Sequence, residues 1–137
     1  MHDIFEKIIK REIPAEIVYE DNLVLAFLDI RPVNHGHTLI IPKEKFVNIF
    51  DADPEVLGHM MKVAQKIAKS LEAELKVDGV NIIMNNNEAA KQEVWHAHLH
   101  VVPRLKNDNA YQDPTHVSPT PEEFSKTREK IIKGLGE

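Results

Sequence analysis

Apolar positions along this chain change period several times, and each change marks an element. Ile4, Phe5, Ile8 and Ile9 recur at helical spacing behind Asp3, which predicts a short amphipathic helix over 3–12 that Pro14 ends. Packing accounts for these positions most simply; the other use for Phe5, Ile8 and Ile13 is to line a pocket. The runs Ile17-Val18-Tyr19 and Leu23-Val24-Leu25-Ala26-Phe27-Leu28 read as strands, joined by a tight turn at Glu20-Asp21-Asn22. Thr38-Leu39-Ile40-Ile41 predicts a third strand, closed by Pro42.

A long stripe at helical period follows: Val56, Leu57, Met60, Val63, Ala64, Ile67, Ala68, Leu71 and Leu75. Asp53 suits its N-cap, with Pro54 at the first helical position and Glu55 in the first turn, so a helix is predicted from there to about Lys76. Met60 and Met61 are assigned to packing or a subunit seam. Asp78-Gly79 turns into a strand over 80–84, and a polar loop over 85–93 leads to a last strand over 95–103.

That last segment, Trp95-His96-Ala97-His98-Leu99-His100-Val101-Val102-Pro103, alternates histidines with apolar residues. On a strand His96, His98 and His100 would project from one face, about 6.5–7 Å apart, with Ala97, Leu99 and Val101 turned into a core. Beyond Arg104 the chain is polar and turn-rich to Pro119. Thr120-Pro121-Glu122-Glu123 then has capping-box spacing and opens a final helix through Phe124, Ile131, Ile132 and Leu135, expected to dock against the body or a partner. The element order indicates α+β rather than alternating βαβ.

Composition narrows the function. A chain of 137 residues fits one domain, and 42% apolar with 28% charged residues is ordinary for a soluble globular protein. A net charge of −5 leaves no basic face for a long nucleic acid, although a small anionic ligand held by local dipoles is compatible with it. The absence of cysteine excludes disulfides and thiolate metal sites within the chain. No apolar run approaches a membrane span and the N-terminus lacks signal-peptide character, so a cytoplasmic protein is expected.

The histidines invite two chemistries. Three same-strand residues span about 13 Å, so bonds near 2.1 Å could gather at most two of them on one ion, with a third ligand such as His37. Covalent catalysis fits better. A neutral imidazole is a competent nucleophile at neutral pH, and the middle ring of three, His98, can be flanked by His96 and His100. Asp29, ending the second strand, and His37, entering the third, are further candidates. The loop residues Asn85, Gln92 and Glu93 offer amides and a carboxylate for a phosphate or ribose.

The signature His96-Ala97-His98-Leu99-His100-Val101-Val102 resembles that of the histidine triad superfamily, His-φ-His-φ-His-φ-φ with φ apolar. Glu12-Ile13-Pro14-Ala15, Leu25-Ala26-Phe27-Leu28-Asp29-Ile30, His37-Thr38-Leu39-Ile40-Ile41-Pro42-Lys43 and Gln92-Glu93-Val94 resemble family segments in their usual order. The likeness spans a histidine triad domain over 2–105, leaving 106–137 as a C-terminal extension. It implies a five-stranded antiparallel sheet with a short N-terminal and a long helix, a homodimer, and a purine nucleotide substrate without cofactor or metal. It also implies hydrolysis or transfer at the α-phosphate of nucleoside phosphoramidates or dinucleoside polyphosphates, through a nucleotidyl-histidine intermediate. On that likeness His98 is the nucleophile, supported by His96, His100 and His37. Asp29 and Ile30 bind ribose; Phe5, Ile8, Ile13 and Phe27 surround the base; Asn85, Gln92, Glu93 and Val94, with His98 and His100, approach the phosphate.

This chain departs from the family pattern at several positions. Asp3-Ile4-Phe5-Glu6 stands where many relatives carry a Cys-x-x-Cys pair for structural zinc, and Lys45 replaces a histidine, which argues against that zinc. Lys91 stands where a glycine usually precedes Gln92, and Glu93 where one branch has serine. The alternatives are a metal-dependent hydrolase built on the histidine cluster and a nucleotide-binding sensor with slow turnover.

Overall fold

The computed structural model describes residues 3–111 and 116–136; residue 2, at the start of the expected domain, lies outside them. Five strands form one antiparallel sheet in the order β1-β2-β3-β5-β4: β1 (Ile17–Glu20), β2 (Val24–Leu28), β3 (Thr38–Pro42), β4 (Gly79–Ile83) and β5 (Leu99–Arg104). Helix α1 (Ile4–Ile9) packs on one face and α2 (Pro54–Leu75) on the other, while α3 (Pro121–Gly136) follows the last strand. The fold is α+β.

Both faces of β2 and β3 are covered, which is why these strands read as continuous apolar runs rather than alternating ones. Val24, Ala26 and Ile40 join Met60, Val63, Ala64 and Leu71 of α2 in one core. Leu25, Phe27, Leu39 and Ile41 meet Phe5 and Ile8 of α1 in the other. Each of those two α1 side chains, nearly fully buried, contributes about 1.5–3 kcal/mol.

Helix α1 is shorter than its apolar spacing suggests. Asp3 and Glu6 form a reciprocal capping box at its start. At its end Arg11 turns left-handed (φ 64°), with the Arg11 and Glu12 N–H groups donating back to the Ile8 and Lys7 carbonyls, so the helix closes well before Pro14. Helix α2 has the expected Asp53 cap with Pro54 behind it. Met60 is fully buried, whereas Met61 is exposed.

Strand β5 begins at Leu99, so the histidine segment is not one continuous strand. Across from Ala97 the neighbouring β3 ends in Pro42, which has no N–H to offer, and the Pro42 carbonyl is taken by the His96 ring at 2.9 Å. The Ala97 N–H donates instead to the Phe46 carbonyl at 2.8 Å. No residue of α3 is buried: Phe124, Ile131, Ile132 and Leu135 are all exposed, so docking of this helix on its own body does not occur. Just before β3, Gly36 has φ +99°, a conformation that calls for glycine in the turn delivering His37; a Cβ there would also fall 2.7 Å from Leu71 Cδ2, a side-chain end that would have to shift.

Candidate active site

A cavity of about 450 Å³ opens between α1, the sheet and the loop before β5. One wall is apolar: Phe5, Ile8, Ile13, Phe27 and Leu39. Asn85, Lys91, Glu93 and Val94 of the loop before β5 also line it, Val94 packing against the apolar cluster, together with Asp29 and Ile30 at the end of β2 and with His98 and His100. The structure thus gathers Phe5, Ile8, Ile13, Phe27, Asp29, Ile30, Asn85, Glu93, Val94, His98 and His100 around one space. Gln92 stands outside it. Ile4, Pro14, Ala15, Leu28, Leu39 and Lys91 also line it and were not singled out as ligands from sequence.

The four histidines do not form a simple row. His37 and His100 are in contact, ring centroids 5.2 Å apart, and His100 and His98 follow at 5.0 Å. Phe5 then sets its ring edge-on to both His98 (5.0 Å) and His96 (5.7 Å). His100 keeps the expected strand geometry, opposite Leu39 and on the α1 face, while Leu99 and Val101 enter the α2 core. His96 is fully buried and lies behind the cavity.

Hydrogen bonds assign the protons. The Val33 N–H donates to His37 Nδ1 at 3.0 Å, so His37 carries its proton on Nε2 and donates it to His100 Nδ1 at 2.9 Å. His100 in turn carries a proton on Nε2. His98 Nδ1 donates to the His96 carbonyl at 2.9 Å, which leaves Nε2 as a bare lone pair. Among the described residues no buried side-chain nitrogen lacks a partner, so His98 Nε2 must open to the cavity. The cavity is therefore offered a lone pair beside an N–H donor.

Burial keeps these rings uncharged. It pushes the His98 and His37 imidazoles below their ordinary value, opposed at His37 by the Asp29 carboxylate, whose Oδ2 lies 3.5 Å from Nε2. His100, buried and flanked by His98 and His37, is pushed down to about 4. Asp29 also turns its other oxygen, Oδ1, onto the Arg31 N–H at 2.8 Å, the turn-forming role common to strand-end aspartates.

The loop side is held from behind by amides. Gln92 Oε1 accepts from the Asn87 N–H (2.8 Å) and from Asn48 Nδ2 (3.1 Å), and its Nε2 donates to the Val47 and Val94 carbonyls (2.7 and 3.1 Å). Every polar atom of the Gln92 amide is thereby occupied, and Asn48 reaches Asn87 as well at 2.9 Å. Asn48 shapes the site without touching it. Its distance in sequence from the loop leaves no local signal of that role.

A model of the HIT domain family matches residues 10–107. The chain belongs to the HIT domain family. An uncharacterized HIT-like protein of Methanocaldococcus jannaschii is 47% identical over 105 residues, 77% of this chain and 81% of that one. A purine nucleoside phosphoramidase of Escherichia coli K12 is 46% identical over 102 residues, 72% of this chain and 84% of the other. The crystal structure of a HIT family protein from Bacillus subtilis superposes with a TM-score of 0.89 at 36% identity, covering 98% of this chain and 97% of that one.

Two places in this HIT domain invite a metal. At the positions compared above with a structural zinc site, the Lys45 ammonium sits 2.9 Å from Asp3 Oδ2 and 3.6 Å from Glu6 Oε1, with His96 Nδ1 3.2 Å from the same Asp3 oxygen. A lysine in the middle of the donor set does not fit a cation. Among the described residues, Asp29, His37 and His100 have ligand atoms within 4.8 Å of one another. There His37 Nε2 and His100 Nδ1 satisfy each other, so an ion would have to break that bond; His98 is not in the group. No helix among the described residues is long and apolar enough to cross a membrane.

Proposed function

We propose that this HIT domain is a nucleotide hydrolase or transferase that acts at the α-phosphate of purine nucleotides and releases a nucleoside monophosphate. The observation that carries this is the His98 Nδ1–H donated to the His96 carbonyl, which fixes Nε2 as a lone pair at the cavity. The name of the E. coli relative, purine nucleoside phosphoramidase, supports the substrate class. The base enters between Phe5, Ile8, Ile13 and Phe27, the ribose meets Asp29 and Ile30, and the α-phosphate lies between His98, His100 and the Asn85–Glu93 side of the cavity.

His98 Nε2 attacks the α-phosphorus, and the bond to the leaving atom breaks with its electron pair. An amine leaving group collects one proton from solvent as it departs; a phosphate leaves as the anion. The nucleotidyl-His98 ring then carries one positive charge, which the Nδ1–H bond to the His96 carbonyl stabilises. His100 Nε2–H donates to a non-bridging oxygen. Water attacks the same phosphorus, the Nε2–P bond returns its electrons to His98, and the proton of water passes to solvent.

Adenosine 5′-phosphoramidate tests this directly. His98→Ala is expected to lower kcat/KM by roughly a thousandfold or more while nucleotide affinity changes only a few-fold. Turnover by the variant within tenfold of the parent would reject His98 as the nucleophile. We also propose a homodimer formed along β4, a sheet edge on which Ile82 is exposed beside Met61. A monomer mass by sedimentation equilibrium at micromolar concentration would count against it.

A further inference from the structure

Among the described residues, three basic ones hold the left-handed backbone conformation that side chains usually avoid: Arg11 (φ 64°), Lys76 (φ 57°) and Lys91 (φ 72°). The first two use their charge locally at helix ends. Arg11 Nη1 donates to the Ile8 carbonyl at 3.3 Å and Nη2 pairs with Glu20 at 2.6 Å, while Lys76 Nζ donates to the Ala73 carbonyl at 2.7 Å. Lys91 follows the short 3-10 turn Glu88–Ala90, and its ammonium has no such partner among the described residues. It lines the cavity instead.

The cavity's other charged side chains are the carboxylates Asp29 and Glu93, so Lys91 is its single lysine or arginine. Two carboxylates repel a polyanion. A site meant for one α-phosphate could use the neutral donors of His100 and Asn85. A lysine at the cavity with no ion-pair partner among the described residues serves negative charge beyond that phosphate.

We propose that Lys91 is a specificity-determining residue that selects substrates whose leaving group is itself an oxyanion, such as a nucleoside polyphosphate, over those whose leaving group is a neutral amine. This rests on the α-phosphate chemistry proposed above. Lys91 binds oxygens of the second phosphate in the ground state and more strongly as the leaving oxygen gains charge. The α-phosphorus to bridging-oxygen bond breaks with its electron pair on the departing phosphate, which needs no proton.

The test compares diadenosine tetraphosphate with adenosine 5′-phosphoramidate as the ratio of their kcat/KM values. Lys91→Gln is expected to lower that ratio about tenfold, and Lys91→Arg to hold it within about threefold. The parent gives a second measure needing no variant: raising ionic strength from about 0.05 to about 0.5 M should depress the ratio. A Lys91→Gln ratio within twofold of the parent, or a parent ratio indifferent to salt, overturns the role of Lys91 alone. A parent that turns over neither nucleotide overturns the α-phosphate chemistry, and this selectivity with it.

Discussion

Asp3 Oδ2 lies 3.2 Å from Nδ1 of His96, joining the start of α1 to the segment that carries His98. The same carboxylate, through Oδ1, accepts the Glu6 N–H at 2.8 Å and so caps the helix bearing Phe5 and Ile8. His96 donates its other nitrogen to the Pro42 carbonyl. Both ring nitrogens of this buried imidazole thus face oxygen atoms, Asp3 Oδ2 on one side and the Pro42 carbonyl on the other. Burial raises the Asp3 carboxyl, but the Glu6 N–H, the Lys45 ammonium and His96 outweigh it and hold the group below the usual range.

Asp3 therefore secures both the helix bearing the apolar wall residues Phe5 and Ile8 and the peptide that orients His98. Asp3→Ala removes a cap and the partner of a buried ring and is expected to cost about 2 kcal/mol or more. Asp3→Asn keeps an acceptor for the cap but turns an NH₂ group towards His96 Nδ1 and Lys45 Nζ, so it loses the charge and their acceptor, for about 1–2 kcal/mol. Urea titrations measure both. Equal losses in the two variants would show that the cap contributes nothing and that the carboxylate facing His96 and Lys45 carries the whole effect.

The titration of the site follows from its burial. His98, His37 and His100 all lie below the ordinary imidazole value in the fold, His100 at about 4. Unfolded, each titrates near 6.5. Between those values the unfolded chain binds protons that the native chain does not, so stability falls as pH drops below about 6.5 and levels off only beneath the folded values. His98, the proposed nucleophile, stays neutral over the same window. The kcat/KM profile is expected to be flat from about pH 8 to below 6.5, with its acid limb lower still. An acid limb centred at or above 6.5, or imidazole resonances of His98 titrating there by NMR, would contradict this.

The sequence carried most where one physical effect dominates. Helix α2 is a single amphipathic stripe with a strong cap, and β2 and β3 are short apolar runs bounded by turns, so periodicity located them. The histidine segment was harder because alternation alone does not make a strand. Pro42 across the sheet and the His96 ring on its carbonyl end the ladder at Leu99, and neither is visible in the local spacing. Helix α3 shows the reverse limit: its apolar face is legible, but spacing does not say what covers it. In the site, the apolar residues and His98 line one cavity. Gln92 illustrates what only coordinates decide, since an amide beside the phosphate loop can face the ligand or hold the loop.

Here it holds the loop. Gln92 ties the Asn87 N–H, Asn48 and the Val47 and Val94 carbonyls together behind Asn85, Lys91 and Glu93, and it is buried. Gln92→Ala leaves several of those groups without partners and is expected to cost about 3 kcal/mol, with KM raised more than kcat is lowered as the loop loosens. Gln92→Glu keeps the shape but sets a carboxylate oxygen against two carbonyls where an NH₂ group donated, so it should be no milder than Gln92→Ala. A direct phosphate ligand would behave differently, weakening nucleotide binding while leaving the urea midpoint unmoved. That outcome would place the Gln92 amide in the cavity rather than behind it.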